Sequence, residues 1–249
     1  MPARRPSTRL GRGRARPGAA VGAGSTGRHY PSSDLFEVLH TQRAVRRFRP
    51  EPISDAVLRE ILAAATRAPS ARNAQPWGFV AVRDAAIKIE IGRHYLAAWR
   101  AAQAHTAQVD ADADIKDCRD YPRMMRAVDE LATHLDQAPV LVLCCLDTAQ
   151  LGSMVDASGR IRAPQSAYAS IFPAVQNLML AARGLGVGST LTTLFLQAEA
   201  DLRRTVGLPD HLHIAALVPL GYPTRPFRIT TRKPLQAVAF LDRWGNPLP

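Results

Sequence analysis

Apolar positions along this 249-residue chain come in short runs broken by proline and glycine. Leu35, Phe36, Val38 and Leu39 predict a first helix that gives way to the basic stretch Arg43-Ala44-Val45-Arg46-Arg47. After a turn around Pro50 and Pro52, Ser54 is a suitable N-cap, because its hydroxyl can accept from an unpaired amide of the first turn. Val57, Leu58, Ile61, Leu62 and Ala65 then recur at helical spacing, and this second helix stops before Pro69. Residues 78–82 predict a strand, the Ala-rich segment 85–104 a long helix, the polar stretch 105–120 a mobile excursion, and 121–135 a further helix.

The run from Pro139 to Leu146 is the longest uninterrupted apolar segment. It is far short of the roughly 20 residues that span a bilayer, and its Val and Leu content predicts a buried strand. A soluble protein with no membrane partner follows. Residues 166–183 form a strongly amphipathic helix, with Phe172, Val175, Leu178, Met179 and Ala182 as its apolar stripe and Gly184 in the C-cap position. Strands are expected over 187–194 and 214–220, with a short helix over 199–206 between them. Helices that alternate with few strands, without regular βαβ spacing, favour an α+β sandwich over a doubly wound fold.

The net charge of +11 suggests nucleic acid until it is located: residues 1–30 hold seven arginines and no acid, and setting these aside leaves +4 for residues 31–249. That opening is rich in Gly, Ala, Pro and Arg and lacks apolar periodicity, so it is expected to be a disordered tail preceding one domain over 31–249. Cys118, Cys144 and Cys145 are odd in number, and the last two are strand neighbours whose side chains point to opposite faces. They suit neither a disulfide framework nor a metal knuckle, and the default compartment is reducing and cytoplasmic.

Several motifs fail on inspection. Gly184-Leu185-Gly186-Val187-Gly188 follows a helix and enters a strand, the reverse of a dinucleotide-binding loop, so capping and close backbone approach account for it. Asp110, Asp112 and Asp114 imitate a calcium loop, but Ile115 and Tyr121 stand where the turn glycine and the bidentate glutamate belong. His211 and His213 lack a third ligand nearby and read as edge-strand histidines.

Three separated elements remain: Thr41-Gln42-Arg43-Ala44-Val45-Arg46-Arg47-Phe48, Ala68-Pro69-Ser70-Ala71-Arg72-Asn73-Ala74-Gln75-Pro76-Trp77, and Gly221-Tyr222-Pro223 with Arg232-Lys233-Pro234-Leu235. Arg43, Arg46 and Arg232 offer planar, multi-donor groups that suit a phosphate bidentately. Ser70 and Asn73 could meet hydroxyls or a polar ring edge, while Trp77 packs in the core at the start of its strand. Together they describe a site for a flat, anionic cofactor.

In this order the three elements resemble the nitroreductase superfamily, which includes bacterial nitroreductases, the enzyme that makes the lower ligand of cobalamin, and iodotyrosine deiodinase. The likeness spans about residues 35–244. It implies an α+β sandwich whose mostly antiparallel sheet is flanked by helices, and an intertwined homodimer with two FMN sites between subunits. By position it implies that Arg43, Ala44, Val45 and Arg46 contact FMN first, Ser70 and Asn73 second, Thr190, Leu191 and Thr192 along the ring and ribityl chain, and Arg232 at the phosphate. Arg46 would lie near the pyrimidine end of the ring and stabilise its reduced, negatively charged form.

NADH or NADPH would supply hydride and a small aromatic, quinone or nitro compound would receive it, with the flavin carrying the chemistry. Where the family often has Arg-Arg-Ser, this chain has Gln42-Arg43-Ala44. One phosphate cation and one hydroxyl are missing, and a charge-assisted bond of roughly 1.5–3 kcal/mol is lost unless Arg47 or Arg72 compensates. The alternative reading is a flavin-binding protein without turnover. A nucleic-acid role would rest on the tail alone.

Overall fold

A computed structural model describes residues 34–109, 121–158 and 160–248. The Arg-rich tail, the 110–114 acidic loop and most of the expected 105–120 excursion lie outside the described residues. Within them run α1 (Leu35–Thr41), α2 (Asp55–Ala65), β1 (Trp77–Val82), α3 (Ala85–Val109), α4 (Tyr121–Thr133), β2 (Val140–Asp147), α5 (Pro164–Gly184), β3 (Gly188–Ser189), α6 (Glu199–Val206) and β4 (Leu212–Gly221). The strands form one sheet in the order β1-β2-β4-β3, and every pairing is antiparallel.

The sheet is the middle of three layers. Along β2, Val140, Val142, Cys144 and Leu146 pack with α2 and α5, whereas Leu141, Leu143 and Cys145 pack with α3, α4 and α6. Burial on both faces is why this strand is apolar throughout instead of alternating. Cys144 and Cys145 do point to opposite faces, and burial holds the Cys145 thiol up at about 12. Opposite these cysteines β4 carries a bulge: Cys144 pairs with Ala216 and Cys145 with Ile214. The extra residue, Ala215, joins Ala216 on the α5 side, which keeps Ile214 and Leu217 both on the α3 side.

Caps fall where the side chains dictate. Ser54 Oγ accepts from the Val57 amide at 3.3 Å, and Leu58, Ile61 and Ala65 of α2 are buried against α5. Helix α5 starts at Pro164 in its first turn and runs through Pro173. Phe172, expected in its apolar stripe, is instead 39% exposed and stacks on Tyr168, because Ile171 occupies the inward position one turn before Val175. The C-terminal glycine is also displaced. Gly184 is still helical, and Gly186 takes the left-handed turn at φ 76°. Val187 N–H donates to Ala182 O at 2.8 Å and Gly186 N–H to Arg183 O at 3.0 Å, the paired bonds of a Schellman ending.

Other expectations shift for local reasons. Helix α3 continues through Val109, so residues 105–109 are helical. Helix α4 ends at Thr133, before a 3-10 turn over Leu135–Gln137. The strand expected over 187–194 is reduced to two residues of ladder and one returning pair at Thr192, which exchanges two 3.0 Å bonds with Leu217. A 3-10 turn over Leu194–Ala198 follows. His213 of β4 pairs with Leu146 of β2, while the β3 ladder reaches only Leu220 and Gly221. His213 Nδ1 lies 3.6 Å from Glu199 Oε1.

Candidate functional site

The chain from Gln42 to Arg49 is extended and lies along the β3–β4 edge of the sheet. Val45 N–H donates to Ser189 O at 2.9 Å, and Arg49 N–H donates to Tyr222 O at 2.8 Å. Two glycines permit this approach. A Cβ on Gly188 would lie 2.8 Å from Val45 Cγ1, and one on Gly221 would lie 2.8 Å from Phe48 Cβ. Close backbone approach therefore explains Gly188 of the glycine run.

Arg46 is half-buried beside Tyr95 and Arg43. Burial, reinforced by the Arg43 charge and opposed by Tyr95, lowers its pKa from the ordinary guanidinium value. Among the described residues no carboxylate pairs with it. Its neighbour Arg47 is neutralised by Glu130, and Arg72 Nη2 donates to Leu151 O at 3.4 Å. Arg47 is thus already paired, whereas the Arg72 bond is to a neutral carbonyl and does not neutralise it; Gln42 Nε2 lies 3.8 Å from Met179 Sδ.

Thr190 and Thr192 are buried and Leu191 is exposed where the segment leaves the ladder beside Ala44 and Val45. Arg232 is exposed on the C-terminal arm, residues 223–248, with Nη1 donating to Thr231 O at 2.8 Å. Two residues earlier, Thr230 N–H donates to His40 O at 3.0 Å, which brings the arm beside the end of α1 and the start of the Arg43–Arg46 segment. The arm is further held by Arg183. This guanidinium lies 4.2 Å from the Phe227 ring centre, while its Nε donates to Thr41 Oγ1 at 2.8 Å and its Nη2 to Glu37 Oε1 at 2.9 Å.

Ser70 and Asn73 stand elsewhere. Ser70 Oγ accepts from the Gln75 amide at 2.9 Å, and Ser170 Oγ of α5 accepts from the Ala71 amide at 3.3 Å. The first motif touches the other end of the same helix, at Met179 and Arg183. Thirteen residues of helix, roughly 20 Å, separate Ser170 from Arg183. Arg72, Asn73 and Gln75 all have left-handed φ, at 55°, 54° and 50°. Such strain in non-glycine residues persists only where the surroundings impose it, and it clusters at ligand sites.

One chain therefore gathers Arg43, Ala44, Val45, Arg46, Thr190, Leu191 and Thr192, with the backbone leading to Arg232, at one end, and holds Ser70 and Asn73 at the other. Sequence reasoning missed Tyr95, whose spacing from Ile91 and Trp99 marks only a core position, and Arg183, which looks like an ordinary basic residue near a helix end. Among the described residues no His, Cys, Asp and Glu grouping could hold a metal ion, and no helix is long and apolar enough to cross a membrane.

The fold and this edge-laid basic segment define a class that comparison with known proteins makes specific. The nitroreductase family model matches residues 39–222. A Thermus thermophilus protein described as NADH dehydrogenase is 32% identical over 232 residues, covering 84% of this chain and 96% of the relative. Iodotyrosine deiodinase bound to FMN and 3-iodo-L-tyrosine superposes with a TM-score of 0.62 at 22% identity, covering 86% of this chain and 100% of that one. A nitroreductase with bound FMN from Desulfitobacterium hafniense gives 0.60 at 20% identity, covering 84% and 98%. The chain belongs to the nitroreductase family.

Proposed function

We propose that this protein is an FMN-dependent oxidoreductase that takes hydride from NADH or NADPH and delivers it to a small aromatic, quinone or nitro acceptor. Family membership and the FMN bound in two structural neighbours support the cofactor. The observation that carries the reading is Arg46, a half-buried cation without a carboxylate among the described residues, beside Tyr95, whose hydroxyl lies 2.7 Å from Thr192 Oγ1. Such a charge calls for an anionic or electron-rich partner, and a flavin phosphate with its ring supplies both.

Bound FMN supplies a hydride acceptor and donor; the chain supplies binding and electrostatics. Arg43 and Arg232 hold the phosphate. Arg46 favours the ring's negatively charged reduced form. Ser70 and Asn73 complete the site from a second copy, because within one chain they lie at the far end of α5. The exposed apolar side chains of the arm, including Ile229 at 78% and Trp244 at 88%, are the surface that a second copy would cover. The functional unit is accordingly a homodimer.

The test is the absorbance spectrum of purified protein with and without added FMN, followed by rapid mixing with NADH and with NADPH. Protein that stays colourless after FMN is added overturns the proposal. A second reading, flavin sequestration without turnover, draws on Gln42, a neutral side chain whose amide is offered to Met179 and adds no charge for a phosphate. Flavin that binds but stays oxidised under both nicotinamides would select it.

A further inference from the structure

Tyr95 of α3 lies outside all three motifs and is 0% exposed, with its hydroxyl 2.7 Å from Thr192 Oγ1. Two hydroxyls that close share one proton, and the donor is decided by what else each oxygen holds. Thr192 Oγ1 already accepts from the Leu194 amide at 3.3 Å. Thr192 is the phenol's hydrogen-bond partner among the described residues. Were Thr192 the donor, the phenol proton would be sealed in the core without an acceptor, an arrangement that protein interiors avoid. The nearby Arg46 charge acts in the same sense, because it makes the phenol the readier proton donor.

Tyr95 is therefore the donor. Leu194 and Tyr95 then occupy both lone pairs of Thr192 Oγ1, and the threonine's own proton must be given to something outside the pair. Thr192 belongs to the segment that leaves the ladder beside Ala44 and Val45, the residues just before Arg46.

We infer that Tyr95 is a positioning residue for the flavin: by donating to Thr192 it makes that threonine a hydrogen-bond donor to the cofactor, and so favours the reduced ring. This rests on the FMN reading above. A donor facing a ring atom that gains electron density on reduction binds the reduced form more tightly than the oxidised one.

The test uses the full-length, FMN-loaded protein as wild type, Tyr95→Phe, Thr192→Val, Thr192→Ser and the Tyr95→Phe/Thr192→Val double variant. The flavin midpoint potential is read against a reference dye, and thermal unfolding is followed in parallel. Tyr95→Phe is expected to weaken the preference for reduced flavin about tenfold, about 30 mV for a two-electron couple. Thr192→Ser should keep the wild-type potential, and adding Tyr95→Phe to Thr192→Val should change nothing further.

A Tyr95→Phe protein that melts lower yet keeps the wild-type potential overturns the inference. So does a Tyr95→Phe shift that persists undiminished in the Thr192→Val background. Thr192→Val at the wild-type potential overturns it as well, whatever the stability of Tyr95→Phe. Wild-type protein that takes up no FMN sinks the flavin reading and this inference together, whereas yellow wild type with an unshifted Tyr95→Phe sinks only the inference.

Discussion

Gly188→Ala tests whether the arginine segment must lie directly on β3. The added Cβ would stand 2.8 Å from Val45 Cγ1 and 2.9 Å from Val45 Cβ. Carbon atoms settle at about 3.5–4.0 Å, so the segment has to move outward by about 0.7 Å. Rotating Val45 gives no relief, because its Cβ is fixed to the backbone. The 2.9 Å bond from the Val45 amide to Ser189 O stretches with it. Overpacking of this kind costs about 1–3 kcal/mol. In a chain of this length each kcal/mol lowers the melting temperature by about 2–4 °C. Arg43 and Arg46 ride on the displaced segment, and misplacement by about 1 Å can cost a functional site up to a hundredfold.

The assay is titration of apo-protein with FMN by fluorescence quenching, with thermal unfolding of the same samples. FMN affinity should fall about tenfold or more, through the displaced guanidinium contacts. Gly207→Ala is the control. It has φ 67° but nothing within 4 Å of its added Cβ, so it strains the backbone far from the site. It should melt somewhat lower and bind FMN like wild type. Wild-type affinity in Gly188→Ala, or an equal loss in Gly207→Ala, would refute the reasoning.

Three further outcomes are expected. Arg46→Ala should weaken FMN binding about ten- to a hundredfold, the loss of one charge-assisted bond, without lowering the stability of apo-protein; unchanged affinity would remove the role given to Arg46. Removing residues 231–249 should yield monomers by light scattering and abolish FMN uptake, and a persistent dimer would show that the arm does not hold the pair. Cys144 and Cys145 should resist thiol reagents at pH 8 until the protein unfolds. Burial raises both thiols, Cys145 to about 12 from an ordinary 9.0, so their contribution to stability is full below about pH 9. It is lost as pH rises towards the folded value, and urea midpoints at pH 7 and 10 that differ no more than those of a Cys144→Ala/Cys145→Ala protein would contradict this.

Much of the architecture was legible because burial writes itself into residue type. The all-apolar β2, the Ser54 cap and the run of inward positions on α2 needed no structure to find. What escaped depended on contacts between distant segments. The stretch at 187–194 has strand composition, yet it leaves the ladder after Ser189. Phe172 was misplaced because a hydrophobic stripe three and four residues wide offers two rows, and packing against α2 and the sheet selects Ile171. At the candidate site the guanidinium groups stood out by chemistry. Tyr95 did not: a buried phenol and a buried phenylalanine show the same periodicity, and only the 2.7 Å approach to Thr192 distinguishes them. The separation of Ser70 and Asn73 from Arg46 was likewise invisible, since residues a short way apart in sequence can sit at opposite ends of one helix.

The three left-handed residues at 72, 73 and 75 carry an evolutionary consequence. Valine, isoleucine and threonine are nearly barred from such dihedrals, whereas glycine enters them freely but brings no side chain. Inherited variation there should be channelled into a narrow set, chiefly asparagine, aspartate, glycine and unbranched residues. A saturation library selected for folded, yellow protein would display that restriction as a gap in its tolerated alphabet, even at positions open to solvent.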